Sequence, residues 1–515
     1  MLNRRDLTRA ALCIALSAWT VPRAAGAQDG PRWRSDPFSL GVASGMPRPD
    51  GVVLWTRLAP QGEDAAEHDA RAPCKVRWEV FADEALRQRV AQGEQVTDAS
   101  HAFSVHVQVA GLRPERHYWY RFLCGDAQSP VGRTRTAPAA GAPVKRLRLA
   151  LASCQHYEYG FYVAQRDMAA QTLDAVVFVG DYIYEGNISP SLAQRRHNAH
   201  VPHTLDEYRA RHALYKSDAD LQAAHAAHPW ILTWDDHEVV NDYASDREPA
   251  PIDTAQFLRR RAAAYRAYFE HMPLALGPDG PSMRIHDRYA WGDLADIWTL
   301  DCRQYRSHHA CPDPARSQGR MVIGCAELED PTRTMLGSAQ ERWLADGLAS
   351  SRARWRLVAQ STQVSSSGIQ TQRGRETWTD AWDGYPLARQ RLLQNIRDTG
   401  ALNTVLLGGD VHRFVAADLR LVPNDASSPI VASEFVGGSV TSRGASREAM
   451  IRMQRDNPDV VHARGDERGY ALIDVDRQAV RCEFRATPHP VLQDARLLTQ
   501  AMYAVENGRA GVLVG

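Results

Sequence analysis

Four times along the chain an apolar, strand-like run ends in side chains able to hold a cation. Leu147 to Ala152 runs into Ser153-Cys154-Gln155-His156, and Ala175 to Val179 into Gly180-Asp181-Tyr182-Ile183-Tyr184. Trp230 to Trp234 leads to Asp235-Asp236-His237-Glu238 and then Asn241-Asp242, while Thr404 to Leu407 leads to Gly408-Gly409-Asp410-Val411-His412. In α/β sheets the ligand crevice lies outside the carboxyl ends of the strands, so these clusters are expected to converge. Two cations roughly 3.5–4 Å apart need bridging and terminal oxygen or nitrogen ligands, and together they clamp an in-line displacement. Asp181 is the expected bridge, with Gly180 keeping its turn tight. Tyr184 as phenolate needs a strongly acidic ion, because free tyrosine has a pKa of about 10. Cys154 would bind as thiolate. That pair favours a ferric ion, and the neighbouring carboxylate and amide oxygens suit a harder divalent ion such as calcium.

Taken singly, each residue has a structural explanation. Gly-Asp after a strand is usually a turn, a lone cysteine is usually a buried thiol, and Asp235-Asp236 with His237 can form a helix start. Four strand-end clusters in order are hard to ascribe to packing. Metal ligation is the favoured reading.

The elements that must position these residues follow from the pattern. From about Lys145 strand-like runs alternate with helical segments such as Ala255 to Phe269 and Gln340 to Ser350, which indicates an α/β domain over 145–515. Before it, 36–138 reads as short strands, including Gly51 to Thr56, Lys75 to Phe81 and Ser104 to Val109. Leu112-Arg113-Pro114 followed by Tyr118-Trp119-Tyr120 resembles a tyrosine corner, in which a phenol bonds back to the turn, and indicates a fibronectin type III-like β-sandwich. Thr136 to Pro143 reads as a linker.

The motif set Ala152-Ser153-Cys154-Gln155, Gly180-Asp181-Tyr182-Ile183-Tyr184, Trp234-Asp235-Asp236-His237-Glu238 and Gly408-Gly409-Asp410-Val411-His412 resembles that of PhoD-like alkaline phosphatases. These belong to the calcineurin-like or purple acid phosphatase-like metallophosphoesterases. The likeness continues through Leu300 to Arg306, Trp382 to Pro386 and Glu434 to Ser439, and spans nearly the whole chain. It implies a four-layer αββα core and hydrolysis of phosphate mono- and diesters at alkaline pH, with Fe(3+) and Ca(2+) or other divalent ions. It assigns Cys154, Asp181, Tyr184 and His412 to iron, and draws a calcium set from Asp236, Asn241 and Asp410, with Asp181 shared. Asn241 contacting phosphate instead is an open alternative. Asn241-Asp242 departs from a double-Asn form, and Cys302 from a more usual Thr; Cys302 adds a possible disulfide with Cys311 or Cys325.

In the mechanism this implies, a metal-activated hydroxide attacks phosphorus in line, and the cations offset oxygen charge. His237 is the candidate to stabilise or protonate the leaving oxygen, or else orients a metal ligand. Arg209, Arg211 and Arg303 are candidates to hold phosphate through the guanidinium fork. Trp378, Trp382 and Tyr385 either line the site or pack a loop. Three competing readings are weighed. They are a phospholipase D-like phosphodiesterase on the same site, a catalytically silent phosphate-binding envelope protein, and a phosphatase with Ser153 as nucleophile.

Length and composition set the outer limits. A chain of 515 residues, 44% hydrophobic and 24% charged, is globular and holds about two or three domains. Lys+Arg and Asp+Glu balance at 61 each, so there is no basic excess for long nucleic acids. Asn3-Arg4-Arg5-Asp6-Leu7, the apolar run to Trp19 and Ala25-Gly26-Ala27 read as a twin-arginine signal peptide over 1–27. That implies the twin-arginine export machinery as a partner and a periplasmic or secreted location, with no permanent membrane span. Apart from Cys13 seven cysteines remain, and Cys74 with Cys124 is the preferred pair in the first domain.

Overall fold

The computed structural model describes residues 31–60, 73–313, 315, 318–400 and 402–515; the expected signal peptide lies outside them. Two large sheets carry the site. The first has ten strands in the spatial order Leu513–Val514, Leu498–Glu506, Ala479–Pro488, Glu467–Asp476, Arg146–Ala152, Ala175–Val179, Pro229–Thr233, Val42–Arg48, Gly51–Arg57 and Ser104–Ala110. The second has seven, ordered Asp287–Trp291, Ala295–Thr299, Trp355–Ala359, Thr404–Gly408, Ile430–Gly437, Phe414–Arg420 and Val460–Arg464.

The central strands are continuous apolar runs because both of their faces are covered. All five residues of Ala175–Val179 are buried, and it pairs in parallel with strands on either side. Alternation then sends its side chains two ways. Val177 and Val179 join Leu149, Leu151 and Ile231 against Leu357, Val405, Leu407 and Phe435 of the second sheet. Val176 and Phe178 join Trp230 and Leu232 against the helices Val163–Ala170, Leu205–Lys216, Ala219–Ala227 and Thr254–His271. The opposite face of the second sheet meets Gly337–Ser350 and Pro386–Asp398 through Trp298, Leu344, Leu392 and Leu406. Each fully buried Val, Leu or Phe contributes about 1.5–3 kcal/mol.

The N-terminal strands do not form a separate body. Val42–Arg48 pairs in parallel with Pro229–Thr233, so three early strands extend the first sheet. Strands Cys74–Phe81, Arg89–Thr97 and His117–Cys124 belong to another sheet, and share an apolar cluster with the three. The Tyr118 hydroxyl accepts the Arg113 backbone N–H at 2.9 Å, the bond expected of the tyrosine corner. Cys74 and Cys124 lie buried in that cluster on paired strands. The disulfide expected of Cys302 is instead Cys311–Cys325, and Cys302 is a buried free thiol. Among the described residues no helix is long and apolar enough to cross a membrane.

Candidate metal centre

The parallel strands of both sheets release their carboxyl ends at one place. The four expected loops meet there, joined by three more that follow Thr299, Ala359 and Gly437. The loops can meet because glycine stands where they touch. A Cβ on Gly180, whose φ is +106°, would lie 2.5 Å from the Asp235 backbone nitrogen, and one on Gly409 would lie 2.6 Å from Ser153 Oγ. Glycine at 180 thus serves the approach of two strand ends as well as the turn.

The backbone is strained where the candidate ligands are. Cys154, Asp181, Asp242, Asp410 and His412 have φ of 60°, 57°, 57°, 60° and 52°, in the left-handed region. Each costs about 1–2 kcal/mol for a non-glycine residue and persists only where the surroundings hold it. Here the holding groups are visible. Cys154 N–H donates to Gly180 O and Gln155 N–H to Asp181 O, both at 3.1 Å. The buried Glu238 carboxylate accepts from Tyr182 N–H at 2.6 Å and Asp235 N–H at 2.9 Å, tying the second loop to the third.

Ligand atoms of Cys154, Asp181 and His412 lie within 4.8 Å of one another, as do those of Asp181, Asp236 and His237, of Asp181, Asp235 and Asp410, and of Asp236, Asp242 and Asp380. Asp181 is common to three of these sets, as expected of a bridge. The Tyr184 hydroxyl joins the first, donating to Asp181 Oδ2 at 2.8 Å and lying 3.0 Å from His412 Nε2. His412 Nδ1 faces the Arg443 carbonyl at 2.9 Å, which leaves Nε2 for the site. The Thr362 hydroxyl donates to Asp410 Oδ2 at 2.8 Å.

The electrostatics of the cluster suits a cation. Burial, reinforced by Asp181 and Asp410, pushes the Cys154 thiol well above its usual range, and burial with Asp181 does the same to Tyr184. Burial with Asp236 and Asp235 raises the Asp181 carboxyl against the opposing pull of His237. Its Oδ1 is buried without a hydrogen-bond partner. A cation beside these groups would reverse all three shifts and give the orphaned oxygen its partner, so the donor set fits bound metal. The two imidazoles diverge. Burial and Arg468 lower His412 to about 3, keeping it neutral as a ligand must be. Burial also opposes charge on His237, but Glu185, Asp236 and Asp181 outweigh it and raise its pKa well above the ordinary value.

Several residues were not singled out by sequence. Glu185 Oε2 lies 2.7 Å from His237 Nδ1, and its Oε1 accepts the Asn241 backbone N–H at 2.9 Å. Asn241 itself is exposed. Asp242 and Asp380 complete a carboxylate set with Asp236. Asp242 had its signal, standing in the quoted motif, whereas Asp380 falls just outside the Trp382 to Pro386 run, among aromatics.

The expected phosphate arginines are engaged elsewhere. Arg303 is 1% exposed and forked onto Asp235 at 2.5 and 3.1 Å and onto Asp380 at 2.8 and 2.9 Å. Arg209 pairs with Glu270, and Arg211 binds the Tyr184, Glu185 and His200 carbonyls. Arg413, next to His412, places Nε 2.9 Å from Gln363 Oε1, in the seam that also holds Thr362 and Asp410. Trp382 and Tyr385 are buried in the core beside the second sheet, where loop packing claims them; Trp378 is 37% exposed. Ser153 is fully buried, its hydroxyl 3.2 Å from Cys154 Sγ and donating to Gly438 O at 3.4 Å. It packs the seam, and among the described residues its hydroxyl meets the Cys154 thiol and the Gly438 carbonyl.

Comparison with known proteins agrees with this architecture. Residues 149–484 match the model of the PhoD-like phosphatase family, and residues 24–138 that of its N-terminal domain. The chain is 41% identical over 505 residues to alkaline phosphatase D of Bacillus subtilis (strain 168), covering 96% of this chain and 85% of that one. It superimposes on a solved structure of PhoD with a TM-score of 0.88 at 40% identity, covering 94% of this chain and 93% of the other.

Proposed function

We propose, on the premise that this chain belongs to the PhoD-like phosphatase family and is a phosphoric ester hydrolase, that it is a metal-dependent alkaline phosphatase and phosphodiesterase working at the Asp181 centre. Cys154, Asp181, Tyr184 and His412 would hold Fe(3+). Asp236 and Asp410 would hold Ca(2+), sharing Asp181, with Asn241 turned to the phosphate. When bound, such ions supply Lewis-acid activation of water and neutralisation of phosphoryl charge. The single observation that carries this reading is the unpartnered, buried Asp181 Oδ1, aimed among thiol, phenol, imidazole and carboxylate ligands.

The chain's own residues supply the rest. Glu185 orients His237 through Nδ1 and favours its charged form, so Nε2 carries the proton that the departing alkoxide takes. Asn241 is held at the same mouth by the other Glu185 oxygen. Arg413 is the arginine best placed to meet the remaining phosphate oxygens, with Gln363 fixing its fork. Around the site, two sheets with helices on their outer faces support the four-layer core over 145–515, and the early strands support a fibronectin type III-like sandwich over 36–138. The twin-arginine leader over 1–27 supports export to the periplasm or medium.

The test is metal analysis of natively exported protein, with turnover of p-nitrophenyl phosphate and bis-p-nitrophenyl phosphate before and after chelation. We expect iron and calcium, activity on both esters, and loss of both activities on chelation with recovery when the ions return. A stripped protein that hydrolyses either ester undiminished sinks the reading.

A further inference from the structure

Helix Leu205–Lys216 carries polar side chains on the face that it buries. Its buried residues are Tyr208, Arg211, His212, Tyr215 and Lys216, the i, i+3, i+4, i+7 and i+8 spacing of a core-facing stripe. Polar groups on such a stripe call for partners, because burial without a hydrogen bond costs free energy. Arg211 and Tyr215, four residues apart and so neighbours on the stripe, both find theirs on the peptide groups of Tyr184. The Tyr184 N–H donates to Tyr215 Oη at 3.0 Å. The Tyr184 carbonyl accepts from Arg211 Nη1, which also donates to Glu185 O at 2.8 Å, while Nη2 donates to His200 O at 3.0 Å. One helix thus grips Tyr184 at both ends of its main chain.

The hydrogen bonds on Tyr215 run in one direction. Its Oη accepts a second amide, the Tyr157 N–H at 3.1 Å, from the turn that follows Cys154. Two accepted bonds leave the hydroxyl proton, and it faces His197 Nε2 at 3.0 Å. Nε2 therefore accepts, and Nδ1 carries the proton that it donates to Asn187 Oδ1 at 2.9 Å. The amide of Asn187 is oriented for this by Nδ2, which donates to Ala199 O at 2.8 Å. A phenylalanine at 215 would leave two amides and an imidazole nitrogen without their partner.

What the grip positions is the phenol. The Tyr184 ring packs against His156 and His237, with centroids 4.4 and 4.0 Å away, and its hydroxyl reaches Asp181 Oδ2 and His412 Nε2. Because Tyr157 and Tyr184 share one acceptor, the Tyr215 oxygen also sets the spacing of the loops that carry the thiol and the phenol.

We propose that Arg211 and Tyr215 are positioning residues of the centre, a clamp that holds the Tyr184 phenol in register with Cys154 and His412 for the cation. The proposal rests on the ligand set of the proposed function.

The test titrates the full chain with ferric iron against a competing chelator, calcium present throughout, and records the visible band at saturating iron. Tyr215→Phe, which removes one oxygen, should weaken iron binding about 10- to 100-fold and displace the band, with calcium affinity kept within about twofold. Arg211→Lys, whose single nitrogen cannot span three carbonyls, should act in the same direction. Tyr470→Phe is the control. It removes the hydroxyl of another buried tyrosine, the one that donates to Asp167 Oδ2 at 2.7 Å, and should lower the melting temperature while leaving iron affinity and band at wild type. Unchanged iron affinity and band in Tyr215→Phe overturn the proposal, as does an equal change in Tyr470→Phe. Wild-type protein that takes up no iron and shows no band overturns the ligand set of the proposed function instead.

Discussion

On one side of Asp181 stand a thiol, a phenol and a neutral imidazole; on the other stand Asp235, Asp236, Asp242, Asp380 and Asp410. Burial pushes the Cys154 thiol and the Tyr184 phenol of the first side well above their usual ranges, which a bound cation would reverse. The second side crowds carboxylates together, and the chain partly answers this itself. Arg303 lies between Asp235 and Asp380 and 3.6 Å from Asp236. With His237 it outweighs burial and lowers Asp236, and with Arg306 and His309 it lowers Asp380 well below the carboxylate range. Burial still raises Asp235 to about 6 although Arg303 is forked onto it, and together with their acidic neighbours it pushes Asp242 and Asp410 up. The contrast teaches that the soft end, of thiol, phenol and imidazole, has no cationic side chain of its own among its donors, whereas the acidic end holds the Arg303 guanidinium as an internal counter-ion.

Breaking the element common to both ends should have the largest effect. Asp181→Asn removes the shared charge and should lower kcat by at least about 10³-fold, with iron and calcium content falling together. Loss of only one metal in that variant would mean that Asp181 does not bridge. Next comes the internal counter-ion. Arg303→Met leaves buried carboxylates uncompensated and should destabilise the fold by about 3–5 kcal/mol in urea unfolding, with part of the loss restored by calcium. Stability equal to wild type without divalent ions would remove the basis for the contrast.

The soft end offers a spectroscopic probe. Tyr184→Phe should abolish a visible charge-transfer band of the iron-loaded protein and lower activity about 10- to 100-fold, while calcium is retained. A band that survives the change would assign the colour to another ligand. The smallest effect expected is that of Thr362→Val, which removes the hydroxyl donated to Asp410. A loss of about 5- to 10-fold in kcat/KM with the Tyr184 band unchanged would show that the two ends can be perturbed separately.

The soft end was the more legible in sequence, for a physical reason. Cys154, Asp181, Tyr184 and His412 each lie within five residues after a buried strand, and thiol, phenol and imidazole are distinctive there. The acidic end was read only in part. Asp380 stands just two residues before the quoted Trp382 to Pro386 run, but carboxylates are too common on surfaces for it to stand out. The arginines failed for a related reason: a guanidinium in a motif says nothing about which anion it will meet. Arg303 met Asp235 and Asp380 before any substrate could. The same limit applies to Cys302, whose position near two other cysteines in sequence did not foretell that those two would pair with each other.

By itself the order of residues determined which chemistry is available: apolar runs long enough to be buried strands, each released into a ligand type that tolerates or demands a cation. These are local properties, set by periodicity and side-chain identity within a few residues. Convergence of seven strand ends, the left-handed backbone at Cys154, Asp181, Asp242, Asp410 and His412, the Glu185–His237 pair and the filling of the acidic end by Arg303 were decided only by tertiary structure. They depend on how two sheets stack and on which charges burial forces together, and no single segment contains that information.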